Sequence, residues 1–121
     1  MFLGKEVRIL LKGQAGECFI ELKKKNDKES QTLLRSIERV KNILIDNPQY
    51  GNPINKELIP ESLKQQGIKN LYRVELSNFW RMLYTLEGTR IEIFLFVLNI
   101  VDHPTYNKMF GKYTKQYSGT A

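Results

Sequence analysis

Leu71-Tyr72-Arg73-Val74-Glu75-Leu76, then Ser77-Asn78-Phe79, then Trp80-Arg81-Met82-Leu83-Tyr84-Thr85-Leu86 is the stretch that decides the fold. In its first segment Tyr72, Val74 and Leu76 share one face while Arg73 and Glu75 take the other, the period of two of a half-buried strand. Ser77-Asn78-Phe79 reads as a turn, and Trp80 to Leu86 as the next strand. Glu87-Gly88-Thr89 turns the chain again, and Arg90 to Ile100 makes a third strand. Its centre, Ile93 to Leu98, is apolar on both faces, the pattern of a central strand covered on both sides. The second half of the chain is thus a β-meander.

Upstream, Val7-Arg8-Ile9-Leu10-Leu11 is closed by Gly13 and Gly16 and predicts an edge strand. Cys18, Phe19 and Leu22 then fall at helical spacing, predicting a short helix from Ala15 to about Lys25, and its terminal lysines complement the helix dipole. Leu33, Ile37, Val40 and Leu44 recur every three or four residues and predict a second, longer helix. Asp27 or Ser30 can cap its start, and Asn47-Pro48 ends it, because the residue before a proline is pushed out of the α region. Asn47 to Pro53 is a loop by its punctuation. Ile54 to Lys69 has no clear period, with Pro60 to Lys64 able to start a single helical turn. Two amphipathic helices beside a meander predict an α+β single domain spanning 1–121. Its order is β-α-α-β-β-β, with a twisted, mainly antiparallel four-stranded sheet and a helical hairpin on one face.

The length of 121 residues fits one core. The hydrophobic share of 41% and charged share of 26% are those of a folded domain. The net charge of +6 favours an anionic partner, with a solvated lysine surface as the plain alternative. Cys18 is the only cysteine, so intrachain disulfides and cysteine-built zinc sites are excluded, and a buried structural thiol is the better reading. With His103 as the only histidine, histidine-cluster metal sites are excluded too. Met1 to Glu6 is not a signal peptide, and Ile93 to Leu98 is too short to span a bilayer, which sets the expectations of no membrane and a cytoplasmic location. The tail carries Tyr106, Phe110, Tyr113 and Tyr117 with Lys108, Lys112 and Lys115, and no acid after Asp102.

No phosphate loop, nucleotide fingerprint or nucleophile elbow is present. Arg81 stands inside a strand between Trp80 and Met82, where a charge needs a partner, a solvent-facing side or an anionic ligand. If Arg73 shares its face, the two guanidinium groups make a rigid phosphate-sized patch. The structural alternative pairs Arg73 with Glu75 or Glu92. His103 lies where the chain leaves the sheet, and an imidazole suits proton transfer near neutrality. The structural alternative is that Asp102-His103-Pro104 is a turn, with Asp102 capping a helix that runs through Tyr106 and Phe110.

Taken together, Leu71 to Val74, Trp80 to Tyr84, the apolar strand and Asp102-His103 with Tyr106 resemble the RelE/ParE toxin superfamily. Gly51, Asn70-Leu71, Trp80 to Tyr84 and Asp102 to Gly111 resemble, more narrowly, a RelE-like branch found in archaea and bacteria. The resemblance covers nearly the whole chain. It implies the toxin of a type II toxin–antitoxin system: a ribosome-dependent messenger-RNA endonuclease that uses no metal or other cofactor, silenced by an antitoxin that is expected to be acidic. It assigns Arg81 to the scissile phosphate and places His103 and Tyr106 near the proton-transfer position. Arg73 joins as a phosphate contact, with Lys64 and Lys69 as candidates for the lysines that precede the meander in some members. One departure stands out: many members end the last strand with a basic residue, whereas this chain has Asp102-His103-Pro104. Asp102 either orients His103 or repels phosphate. The superfamily also holds members that inhibit gyrase without nuclease activity, so a protein-binding role and a basic RNA- or ribosome-binding module stay open beside the nuclease.

Overall fold

Leu33, Ile37, Val40 and Leu44 are buried along one stripe of helix α2 (Lys28–Asp46), as their spacing requires. Asp27 caps this helix by accepting from the Ser30 backbone N–H at 2.9 Å, and its carboxyl is held below the usual range first by that bond. The computed structural model describes residues 1–111. Lys112, Tyr113, Lys115 and Tyr117 of the basic tail lie outside the described residues. Helix α1 (Gly13–Lys24) precedes α2, and both pack on one face of the sheet. The core they cover includes Leu22 from α1 together with Val74, Met82, Leu95 and Val97 from the sheet. Cys18 is half-buried against this core, and burial pushes its thiol pKa up, the signature of an inert thiol.

The strands are β1 (Glu6–Leu11), β2 (Asn52–Pro53), β3 (Tyr72–Glu75), β4 (Arg81–Gly88) and β5 (Glu92–Val101), arranged β1-β5-β4-β3-β2. The fold is α+β, and the expected four-stranded, mainly antiparallel sheet is corrected to a mixed sheet of five strands. β1 runs parallel to β5, with Ile9 opposite Leu95, joined by the long connection through the helices and the other strands that a parallel pair needs. The extra strand, β2, is two residues long and pairs Asn52 with Arg73 and Pro53 with Tyr72. It falls inside the segment expected to be wholly loop. The meander β3-β4-β5 is antiparallel, with an irregularity at Leu83/Tyr84 where β5 accommodates Leu98.

The far face of the sheet holds a second, smaller core of Ile59, Leu63, Leu71, Leu83 and Phe110. It is built by the 54–69 segment, by α3 (Glu61–Gln65) and by α4 (His103–Met109). β5 is not doubly covered along its whole length. Phe94 and Phe96 stay half-buried, stacked on each other at 6.1 Å, with the Lys12 ammonium 4.1 Å above the Phe96 ring. Among the described residues no helix is long and apolar enough to cross a membrane.

Tyr84 ties the 48–51 loop to the sheet. Its hydroxyl donates to the Pro48 carbonyl at 2.7 Å and accepts from the Gly51 N–H at 3.0 Å. A Cβ on Gly51 would sit 2.8 Å from that hydroxyl, so glycine is required by the close approach. Asn70 works similarly at the next residues of β4, where its side-chain oxygen accepts from both the Leu86 N–H and the Thr85 hydroxyl. Burial pushes the Tyr84 phenol up from 10.0 to about 12. The neutral phenol is the form the core accepts, so its contribution is complete below about pH 10 and is lost as pH rises toward about 12. Tyr84→Phe is expected to cost about 1–3 kcal/mol at neutral pH by orphaning the Gly51 N–H. It is also expected to remove this part of the alkaline slope. Urea unfolding of both proteins from pH 7 upward checks both effects.

Candidate functional site

The alternation read from β3 puts Arg73 and Glu75 on the face away from α1 and α2, and the hairpin register sets Arg81 of β4 directly opposite Glu75. The Glu75 carboxylate lies between the two guanidinium groups, 3.3 Å from Arg73 Nε and 3.0 Å from Arg81 Nε. Both Nε atoms are shielded from water and neither makes an aligned hydrogen bond to it. The contacts are therefore Coulombic rather than a locked fork, and a differently shaped anion could replace the carboxylate. The Glu75 side chain is 52% exposed and that of Arg81 only 11%. Arg81 is fixed further by donating from Nη1 to the Phe79 carbonyl.

Helix α4 delivers the remaining groups. Asp102 caps it, accepting from the Thr105 N–H at 3.0 Å, and its carboxyl is held low first by hydrogen bonding to the Thr105 side chain. The capping reading of Asp102 is therefore the one the structure bears out. One residue on, the His103 ring meets Arg81, with Nδ1 at 3.2 Å from Nη2. One turn later, the Tyr106 ring lies beneath both arginines, 5.2 Å from the Arg81 guanidinium carbon and 5.7 Å from that of Arg73. Arg73 donates to the Tyr106 hydroxyl at 3.1 Å, the first cause of its raised pKa. Phe110 supports the Tyr106 ring from the small core at 4.7 Å.

The His103 tautomer follows from its neighbours. A guanidinium has only donors, so Nδ1 must present its lone pair to Arg81. The neutral ring then carries its proton on Nε2. The Asn107 side-chain nitrogen lies 3.3 Å from Nε2, and two donors cannot face each other there. The Asn107 amide is therefore turned so that its oxygen accepts. Nδ1 is thereby the accepting nitrogen of His103, its lone pair engaged by Arg81 Nη2 inside the arginine cluster.

Two clefts flank Arg73. One of about 420 Å³ is lined by Asn52, Asn55, Arg73, Tyr106, Asn107 and Phe110. The other, of about 290 Å³, is lined by Tyr50, Asn52, Arg73 and Glu75, among others. Four of the expected residues, Arg73, Arg81, His103 and Tyr106, thus meet in one place. Lys64, on α3, and Lys69, ahead of β3, are exposed and line neither cleft. The sequence reading passed over Asn107, although its i,i+4 spacing from His103 on one helix face was the available signal. It also passed over Asn52 and Asn55, which no period marks. Glu75, read as a partner for Arg73, is shared with Arg81. Glu92 pairs instead with Arg8 across the parallel β1–β5 edge. Among the described residues no three His, Cys, Asp or Glu side chains gather as a metal-binding group. The chain matches no family model, no curated protein and no solved structure.

Proposed function

We propose that this protein is a metal-independent endoribonuclease of the RelE type, the toxin of a toxin–antitoxin pair that cuts messenger RNA on the ribosome. One observation carries the reading: a fixed, nearly buried Arg81 has an imidazole nitrogen 3.2 Å from one end and a phenol under its face. This set supplies what cleavage by an internal nucleophile needs. The substrate 2′-hydroxyl attacks the adjacent phosphorus and forms a 2′,3′-cyclic phosphate, while the 5′-oxygen leaves. Arg81, with Arg73 behind it, holds the phosphate and meets the charge that builds on its oxygens. His103 Nδ1 takes the 2′-hydroxyl proton once the phosphate has taken up the Arg81 Nη2 donor that faces it. Tyr106, whose oxygen accepts from Arg73, gives its hydroxyl proton to the leaving 5′-oxygen. Lys64 and Lys69 would contact the RNA backbone at the periphery.

The net charge of +6 supports an acidic antitoxin, and exposed Leu3 and Ile91 near the start of β1 offer it apolar surface. Induced expression with primer-extension mapping tests the proposal: new messenger-RNA 5′ ends within translated codons are expected, and their absence would count against it. One observation favours a second reading. Glu75 already occupies the position between the arginines that a phosphate would take, which suits a non-catalytic protein that acts by binding a partner such as gyrase. Glu75→Gln separates the two, since it is expected to keep or raise nuclease activity but to leave a purely binding protein inactive on RNA.

A further inference from the structure

The β3–β4 hairpin closes through Ser77–Phe79, with the Trp80 N–H bonded to the Ser77 carbonyl at 3.1 Å. Its two central residues, Asn78 and Phe79, have φ of 55° and 63°. These are the signs of a type I′ turn, which favours asparagine first and glycine second. Asn78 suits its place. Phe79 does not, because a bulky side chain at positive φ is strained and glycine would relieve it. Nor does packing explain the choice, since Phe79 is 74% exposed. The ring instead stands beside the site, its centroid 6.3 Å from that of His103 and tilted 57° to it. The same residue's carbonyl anchors Arg81.

We propose that Phe79 is a stacking platform for one nucleobase of single-stranded RNA, the base whose neighbouring phosphate lies on Arg81. The inference rests on the RNA-cleaving reading above and adds a substrate contact to it. An exposed aromatic ring next to fixed cations is the pairing that single-stranded nucleic acid recognises, with base on ring and phosphate on guanidinium. Backbone and side chain have separable jobs here. The carbonyl positions Arg81 whatever the residue, so only the ring is left without a structural role. Because every base has a flat face, the platform sets register along the strand with little preference for sequence.

Phe79→Gly keeps the carbonyl and removes the ring, which makes it the informative variant. The probe is a 2′-O-methyl hexanucleotide, which lacks the attacking hydroxyl, carrying 2-aminopurine at each position in turn. Wild type is expected to quench the fluorescence at one position. Phe79→Gly is expected to weaken binding roughly 5- to 100-fold while raising Tm by roughly 2–8 °C. Phe79→Trp is expected to restore binding, and an abasic site at the quenched position to weaken binding by wild type but not by Phe79→Gly. Unchanged affinity in Phe79→Gly, with binding still lost in Arg81→Ala, would overturn the platform and leave the RNA reading standing. Weaker binding with a lowered Tm, not restored by Phe79→Trp, would make the ring structural and also overturn it. No binding of the probe by wild type, with ribosomes or without them, would remove both ideas.

Discussion

Arg81→Ala is expected to lower RNA cleavage by about 10²–10³-fold or more while leaving the far-ultraviolet circular dichroism spectrum unchanged. The size of the effect follows from where the guanidinium is held. It sits on a central strand, shielded from water, anchored by the Phe79 carbonyl and by Glu75 at 3.0 Å. A cation placed in advance does not have to reorganise as charge builds on the phosphate, and its removal leaves that charge to water. The fold survives because Glu75 keeps Arg73 as a partner at 3.3 Å. Arg81→Lys is expected to recover little activity. An ammonium has no planar fork and cannot reach the Phe79 carbonyl, Glu75 and a phosphate at once. Rate measurements on ribosome-bound messenger RNA, made beside thermal melts, separate lost chemistry from lost structure.

His103→Ala carries the second large effect, a fall of about 10²–10⁴-fold in the cleavage rate. Arg81 and Asn107 leave Nδ1 as the accepting nitrogen of His103. Nδ1 is already aimed into the cluster, and it is released when an arriving phosphate takes up the Arg81 Nη2 donor that faces it. His103 is exposed at the first turn of α4, so its loss costs the fold little. His103→Gln keeps the size and polarity of the ring but cannot take up a proton near neutrality, and it is expected to stay slow. Activity retained in His103→Ala would keep the nuclease but take His103 out of the mechanism, leaving Tyr106 or Glu75 to move the proton.

Period and punctuation carried most of the fold into view. The 3.6-residue stripe of α2 named its own buried residues, and the alternation of β3 named the face on which Arg73 and Glu75 stand. Pairing direction was not legible, because a strand's own pattern carries no record of its neighbour. Hence the parallel β1–β5 pair went unseen. β2 was hidden for a different reason: Asn52-Pro53 is too short for any period, and only the register to Arg73 and Tyr72 makes it a strand. The apolar run of β5 suggested cover on both faces, but Phe94 and Phe96 shelter largely by stacking on each other.

The candidate site was legible where residues of unusual type stood in regular elements. A lone arginine in an apolar strand and a lone histidine at a strand end are conspicuous, and both lie in the cluster. Asn107 and the carbonyl of Phe79 were not conspicuous. Asparagine is common on helix surfaces, and a backbone oxygen leaves no mark in a sequence. The motif residues Gly51, Asn70 and Tyr84 turn out to hold the scaffold together through a close approach and buried hydrogen bonds, at a distance from the proton-transfer groups.

The most direct measurement is end-group analysis of messenger RNA incubated with purified protein on programmed ribosomes, with Arg81→Ala in parallel. The account predicts cuts that leave a 2′,3′-cyclic phosphate and a 5′-hydroxyl in the wild-type reaction and none in the variant. Intact RNA with wild-type protein, with ribosomes or without them, would contradict it.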